Sequence, residues 1–176
     1  MKLIIGILLL SLTSQLNGQE LAAHEPKSAR DGLHLSVVIS HTFIPERTVN
    51  GKTTVAIPSL GFDVEYFLTK RFGIGLHNDL ELLVYEVKEN DNSYIKREFP
   101  VLLTADLLYK IKDDLILFGG PGVELEKERD IPVLRFGLEY MAHVGTTLTF
   151  SPIISYDYRI DSFNSFSLGI GIGFGL

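Results

Sequence analysis

From Phe166 to Leu176 every second residue is large and apolar: Phe166, Leu168, Ile170, Ile172, Phe174 and Leu176. Between them stand Ser167, Gly169, Gly171, Gly173 and Gly175. A period of two is the side-chain period of a β-strand. A soluble sheet would bury the large face and coat the other with Lys, Thr and Glu, and four alternating glycines make a poor aqueous surface. The opposite assignment fits: large residues against lipid, small and charged ones filling a narrow lumen.

Seven earlier segments share that period, at 31–43, 54–68, 72–86, 95–111, 115–125, 132–142 and 147–158. Their second faces are small or charged. They carry His34, Ser36, Ser40 and Thr42 in the first segment; Ser59, Gly61, Asp63 and Glu65 in the second; and Gly73, Gly75, His77, Asp79 and Glu81 in the third. The fourth adds Lys96, Glu98, Thr104, Asp106 and Lys110, the fifth Gly120, Gly122 and Glu124, the sixth Arg135, Gly137 and Glu139, and the seventh Thr149, Ser151, Ser155 and Asp157. In the fifth segment Ile116, Phe118 and the cluster Gly119-Gly120-Pro121-Gly122 blur the alternation, which predicts a bulge or bend there.

Connection lengths alternate as well. Those after segments two, four and six are tight, whereas those at 44–53, 87–94, 126–131 and 159–163 are longer and more polar. Barrels of the outer membrane have short periplasmic turns and longer external loops. Outward aromatics fall near segment ends: Tyr66, Phe72, Tyr109, Tyr140, Phe150 and Phe174 toward the short turns, Phe43, Phe99, Tyr156, Tyr158 and Phe166 toward the long loops. Paired aromatic girdles at the two membrane interfaces have that form. The expected architecture is all-β, an eight-stranded antiparallel up-and-down transmembrane barrel.

Targeting and composition agree with this. Lys2, the apolar run 3–12 and Asn17-Gly18 have the layout of a secretory signal peptide, too short to span a bilayer as a helix. The expected organisation is a cleaved leader over 1–18, an N-terminal segment without periodicity over 19–30, and a barrel over 31–176. Removing Lys2 with the leader leaves 15 basic against 22 acidic residues. Such a chain, with no basic run, is a poor partner for nucleic acid. The absence of cysteine excludes disulfides, thiolate metal sites and cysteine nucleophiles. Mean hydropathy is positive although 22% of residues are charged. A barrel reconciles the two, because its hydrophobicity is spread over alternate positions.

On these features the chain resembles the small eight-stranded outer-membrane β-barrels of the outer-membrane protein A/X type, in the broad porin-like superfamily. The resemblance is carried by the leader, the stretches 61–76 and 99–111, the Gly119–Gly122 cluster and the last strand. That strand also resembles the C-terminal assembly signal of such proteins, with Gly171, Phe174 and Leu176, although the usual terminal residue is Phe. The resemblance implies a Gram-negative bacterial outer membrane, insertion by its barrel assembly machinery with periplasmic chaperones, and surroundings of outer-membrane lipid and lipopolysaccharide. It implies a monomer and no cofactor.

The expected lumen network is Asp63, Glu65, His77, Asp79, Glu81, Lys96, Glu98, Asp106, Lys110, Glu124, Arg135, Glu139 and Asp157. Eight strands enclose a space that side chains just fill, and charges confined there should pair. The first reading is a filled lumen in a protein of structural or surface-interaction role, without enzymatic activity. The acidic excess keeps a narrow cation-preferring pore as an alternative. A lipid A-modifying enzyme would need His41 with Ser40, which parity places on opposite faces, or His77 with Asp79 and Glu81, which supply no nucleophile. The latter three could instead hold a metal ion. A soluble lipocalin-like barrel would turn the apolar faces inward. Polar residues of the first two long loops (Glu46, Arg47, Asn50, Lys52, Lys88, Glu89, Asn90, Asp91 and Asn92) offer a surface for partners but name none.

Overall fold

The computed structural model describes residues 32–45, 54–89 and 93–176. The expected leader (1–18), the N-terminal segment (19–30), and Glu46, Arg47, Asn50, Lys52, Asn90, Asp91 and Asn92 lie outside the described residues. The chain forms β1 (Leu33–Pro45), β2 (Thr54–Phe67), β3 (Phe72–Glu81), β4 (Val84–Lys88), β5 (Tyr94–Glu98), β6 (Val101–Lys112), β7 (Leu115–Leu125), β8 (Ile131–Tyr140), β9 (Ala142–Val144), β10 (Leu148–Arg159) and β11 (Asn164–Gly175). Eight of them make the wall, in the order β11-β1-β2-β3-β6-β7-β8-β10, all antiparallel. β11 pairs with β10 as well as β1, from Leu148↔Phe174 to Tyr158↔Asn164, so the sheet closes and no wall edge remains.

The outside of this cylinder is apolar. Ile39, Phe62, Leu76, Leu107, Phe136, Ile154 and Ile170 are all exposed, Leu107 by 72%. A continuous belt of that kind suits hydrocarbon and not water. Ring pairs mark its two borders. Phe43 stacks on Phe166 at 5.0 Å near the long loops, and Phe72 meets Tyr109 at 5.0 Å near the short turns. Each pair joins residues placed opposite one another by the register.

Two expectations about the strands are corrected. The segments 72–86 and 95–111 are not continuous. Each breaks near the long-loop end, and the outer pieces β4 and β5 pair only with each other. Pro100 cannot donate to a ladder, Phe99 before it takes a left-handed φ of 49°, and Leu82 and Leu83 are consecutively exposed opposite. Of the bulge or bend expected at the glycine cluster, no bulge forms: β7 keeps an unbroken register with β8 from Leu115↔Tyr140 to Glu124↔Ile131, while its ladder with β6 opens between Thr104↔Gly122 and Leu107↔Gly119. The glycines there answer to close approach instead, since a Cβ on Gly120 would lie 1.9 Å from the carbonyl oxygen of Ala105.

One wall defect is built into the middle of β2 and β3. Their ladder holds at Gly61↔Asp79 and Val64↔Leu76 and opens between. The Asn78 side-chain amide fills the gap: its Nδ2 donates to the Phe62 carbonyl, and its Oδ1 accepts the Phe62 N–H at 3.3 Å. Asp63 Oδ1 accepts the Asn78 N–H at 3.2 Å. In lipid no water can take over these bonds, so side chains must.

Candidate functional site

The inward faces of the eight strands converge on the lumen, which is layered. At the short-turn end Phe67, Leu108, Ile116, Phe118 and Met141 form an apolar plug. The sequence pattern could not distinguish Ile116 and Phe118 from lipid-facing residues; the structure turns both inward. Lys110 is buried and sets its Nζ 3.7 Å from the centre of the Phe67 ring.

Above this plug lies a chain of imidazoles and carboxylates. His34 Nε2 and Thr149 Oγ1 are 2.7 Å apart, and His34 Nδ1 faces Glu65 Oε2 at 3.4 Å. Glu65 Oε1 lies 3.3 Å from His77 Nε2, and His77 Nδ1 lies 3.0 Å from Asp106 Oδ2. The same Asp106 oxygen accepts the Thr104 hydroxyl at 2.6 Å. His77 rests edge-on against Phe118 at 4.9 Å, which ties the ionic layer to the apolar one.

Arg135 dominates the next layer. Its Nη1 reaches Asp79 at 2.7 Å, while Nε and Nη2 hold both oxygens of Asp157 at 2.7 and 3.2 Å. That fork geometry is the strong form of a guanidinium–carboxylate pair. A cavity of about 20 Å³ beside Arg135 is lined by Asp63, Glu139, Ser40, Ser155 and Gly169. It has room for about one water molecule.

The outermost ionic layer centres on Glu124. Arg159 donates to it through Nε, to Glu81 at 3.3 Å and to Ser165 at 2.6 Å. Arg97 approaches its other oxygen at 2.7 Å. Tyr85 donates to Glu81. Over this layer sits a second apolar cluster of Ile44, Ile57, Tyr85, Val87, Ile95, Ile131 and Phe163.

Eleven of the thirteen expected network residues therefore point into the lumen: Asp63, Glu65, His77, Asp79, Glu81, Asp106, Lys110, Glu124, Arg135, Glu139 and Asp157. Lys96 and Glu98 do not. They pair with each other on the outer surface of β5, exposed by 45% and 41%. The cause is the break at Phe99-Pro100, because a one-residue slip in phase sends a strand's side chains to the opposite face. Above the break the inward residues are Ile95 and Arg97, and below it Leu102, Thr104 and Asp106. Arg97 is thus a network member missed by the alternation; the proline was the signal that could have revealed it. Arg159, assigned to a loop, continues the inward phase of Ser155 and Asp157 and is fully buried. His34, on the polar face of the first segment, also joins the network through Glu65 and Thr149.

The two histidine groupings considered for chemistry are not assembled. Ser40 is buried in the lumen while His41 is exposed on the lipid side. His77, Asp79 and Glu81 each have different partners, in three different layers. Among the described residues no three His, Asp or Glu side chains converge to hold a metal ion. Gly171 faces inward, and Phe174 and Leu176 are exposed at the short-turn end.

No protein-family model matches the chain, and no curated protein is similar to it at significance. Solved structures do match. The attachment invasion locus protein Ail of Yersinia pestis, in complex with a heparin analogue, is 14% identical with a TM-score of 0.57, over 82% of this chain and 98% of that one. Ail in a phospholipid bilayer nanodisc is 15% identical with a TM-score of 0.52, over 82% and 100%. Neisserial surface protein A is 10% identical with a TM-score of 0.55, over 83% and 98%. In strand number, closure and order, this chain has the fold of the small eight-stranded outer-membrane β-barrels.

Proposed function

We propose that the protein is an integral barrel of a Gram-negative outer membrane whose lumen is closed, with a structural or surface-interaction role and no catalytic activity. The observation that carries this reading is the filling of the lumen. Arginines reach across it to acidic partners on other strands, apolar clusters cover both ends, and the cavity beside Arg135 holds about one water. A permeation path needs a continuous polar lining with weak sites, and paired, desolvated charges oppose that. On this reading residues 1–18 direct export and are removed. The strand ending in Phe174 and Leu176 is read by the assembly machinery and its chaperones, and a monomer sits among outer-membrane lipid and lipopolysaccharide.

The test is electrical. Purified, refolded protein in planar bilayers is expected to give no stable channels, and proteoliposomes no solute-dependent swelling. Large, long-lived, cation-selective openings would overturn the closed lumen and favour the narrow pore that the acidic excess allows.

A further inference from the structure

The β4–β5 hairpin differs from every other extension of the wall. Among the described residues its strands pair only with each other, and its backbone joins the barrel through the bends at Leu82-Leu83 and Phe99-Pro100. Backbone hydrogen bonds at these bends are few: Leu82 N–H to Pro58, Glu81 N–H to Pro100, and Phe99 N–H to Leu83 at 3.3 Å. Its inward face nevertheless carries Tyr85, Val87, Ile95 and Arg97, all buried. The apolar three pack with Ile44 of β1, Ile57 of β2, Ile131 of β8 and Phe163 of the 160–163 loop, residues from widely separated parts of the wall. A hairpin that touches so many strands without pairing to them lies across the mouth.

We propose that this hairpin is a hinged lid that controls access from the long-loop side to the charged layer around Glu124 and the lumen beneath it. The hinge is the pair of bends, where Phe99 holds the left-handed backbone that a non-glycine residue adopts at a cost. The latch is polar and lies at the free end of the hairpin. Glu89 accepts hydrogen bonds from Arg129 of the 126–130 loop and, at 2.7 Å, from Ser162 of the 160–163 loop. Near the hinge, Arg97 holds the hairpin down through the Arg129 carbonyl at 2.7 Å and Glu124 at 2.7 Å. Lifting the hairpin breaks this latch, withdraws Arg97 from Glu124 and Tyr85 from Glu81, and exposes the apolar cluster as one unit, without disturbing a wall ladder.

The inference rests on the closed-lumen reading, and the experiment separates the two. The chain has no cysteine, so Ser167→Cys, buried in the lumen below the lid, is a unique probe. A small charged methanethiosulfonate reagent is added to folded protein in vesicles. With the latch intact, labelling is expected to be slow. In the Glu89→Gln/Arg129→Ala background it is expected to rise at least about tenfold, with heat-modifiable gel migration retained. If that double variant fails to insert, Ser162→Ala cuts one latch bond alone and is expected to give a smaller rise of about threefold. Equally slow labelling with and without the latch would overturn the lid and leave the closed lumen standing. Rapid labelling with the latch intact would overturn the closed lumen and the lid with it.

Discussion

Replacing Asn78 by leucine makes the lipid face of β3 more apolar, and a hydropathy scale predicts that the barrel gains stability. The structure predicts a loss. Asn78 stands where the β2–β3 ladder opens, and its amide is the partner of both the N–H and the C=O of Phe62. Leucine fits the space but leaves both groups unpaired at membrane depth, where water cannot substitute. An unsatisfied buried amide group costs about 1–3 kcal/mol on protein mutational scales, so two cost about 2–6 kcal/mol. The added apolar surface returns about 1–2 kcal/mol. The net expectation is a destabilisation of about 0–5 kcal/mol, centred near 2–3 kcal/mol. Urea unfolding from phospholipid vesicles reads it as a lower midpoint at constant slope. Leu76→Ile, on the same strand and face but without a backbone partner, is the control and should shift stability by less than about 1.5 kcal/mol. An Asn78→Leu variant more stable than the parent would refute the claim that this side chain repairs the wall.

Two further predictions concern charges. Arg135→Met removes the one guanidinium that serves Asp79 and Asp157 and leaves two carboxylates in a filled lumen; a loss of about 3–5 kcal/mol is expected in the same unfolding assay. At the latch, burial pushes the Glu89 carboxyl up, but hydrogen bonds from Ser162 and Arg129 outweigh it and hold the group below its ordinary 4.5. A carboxyl depressed in the folded state stabilises above its unfolded value and stops doing so as pH falls through its folded value. The stability difference between the parent and Glu89→Gln should therefore be full near neutrality and shrink as pH falls below 4.5. A difference that grows in acid would contradict that assignment.

The wall was readable because its signal is repeated eight times: each strand alternates, and parity alone separates Val37 from Val38 or Leu107 from Leu108. What parity cannot see is a change of phase inside a segment. Pro100 marks one, and reading 95–111 as a single strand placed Lys96 and Glu98 inside and left Arg97 out. Nor does alternation say where a strand stops. Arg159 stands at the start of the polar connection expected over 159–163, yet it completes the inward series of β10 and binds Glu124 and Glu81. The pairing of charges depends on which residues face one another across the lumen, and that follows from closure and stagger, which no single segment carries.

The same geometry explains the glycines of the last strand. Along β10, β11 and β1 the inward positions are mostly Ser, Thr and Gly, whereas β2, β3 and β6 to β8 send in Glu65, His77, Asp106, Phe118, Arg135 and Glu139. An interior this narrow cannot take long side chains from both walls. A Cβ on Gly173 would lie 2.5 Å from the ring of His34 and 2.7 Å from the Thr149 hydroxyl, and one on Gly137 would lie 2.2 Å from Phe118. Gly173 and Gly137 are not flexible points in the wall; they are the space into which side chains of the adjacent strands extend. Around a wide aqueous channel the inward positions would have no reason to be so small. The alternation of glycine with large apolar residues thus records both facts at once, lipid on one side of the strand and a neighbour's side chain already occupying the other.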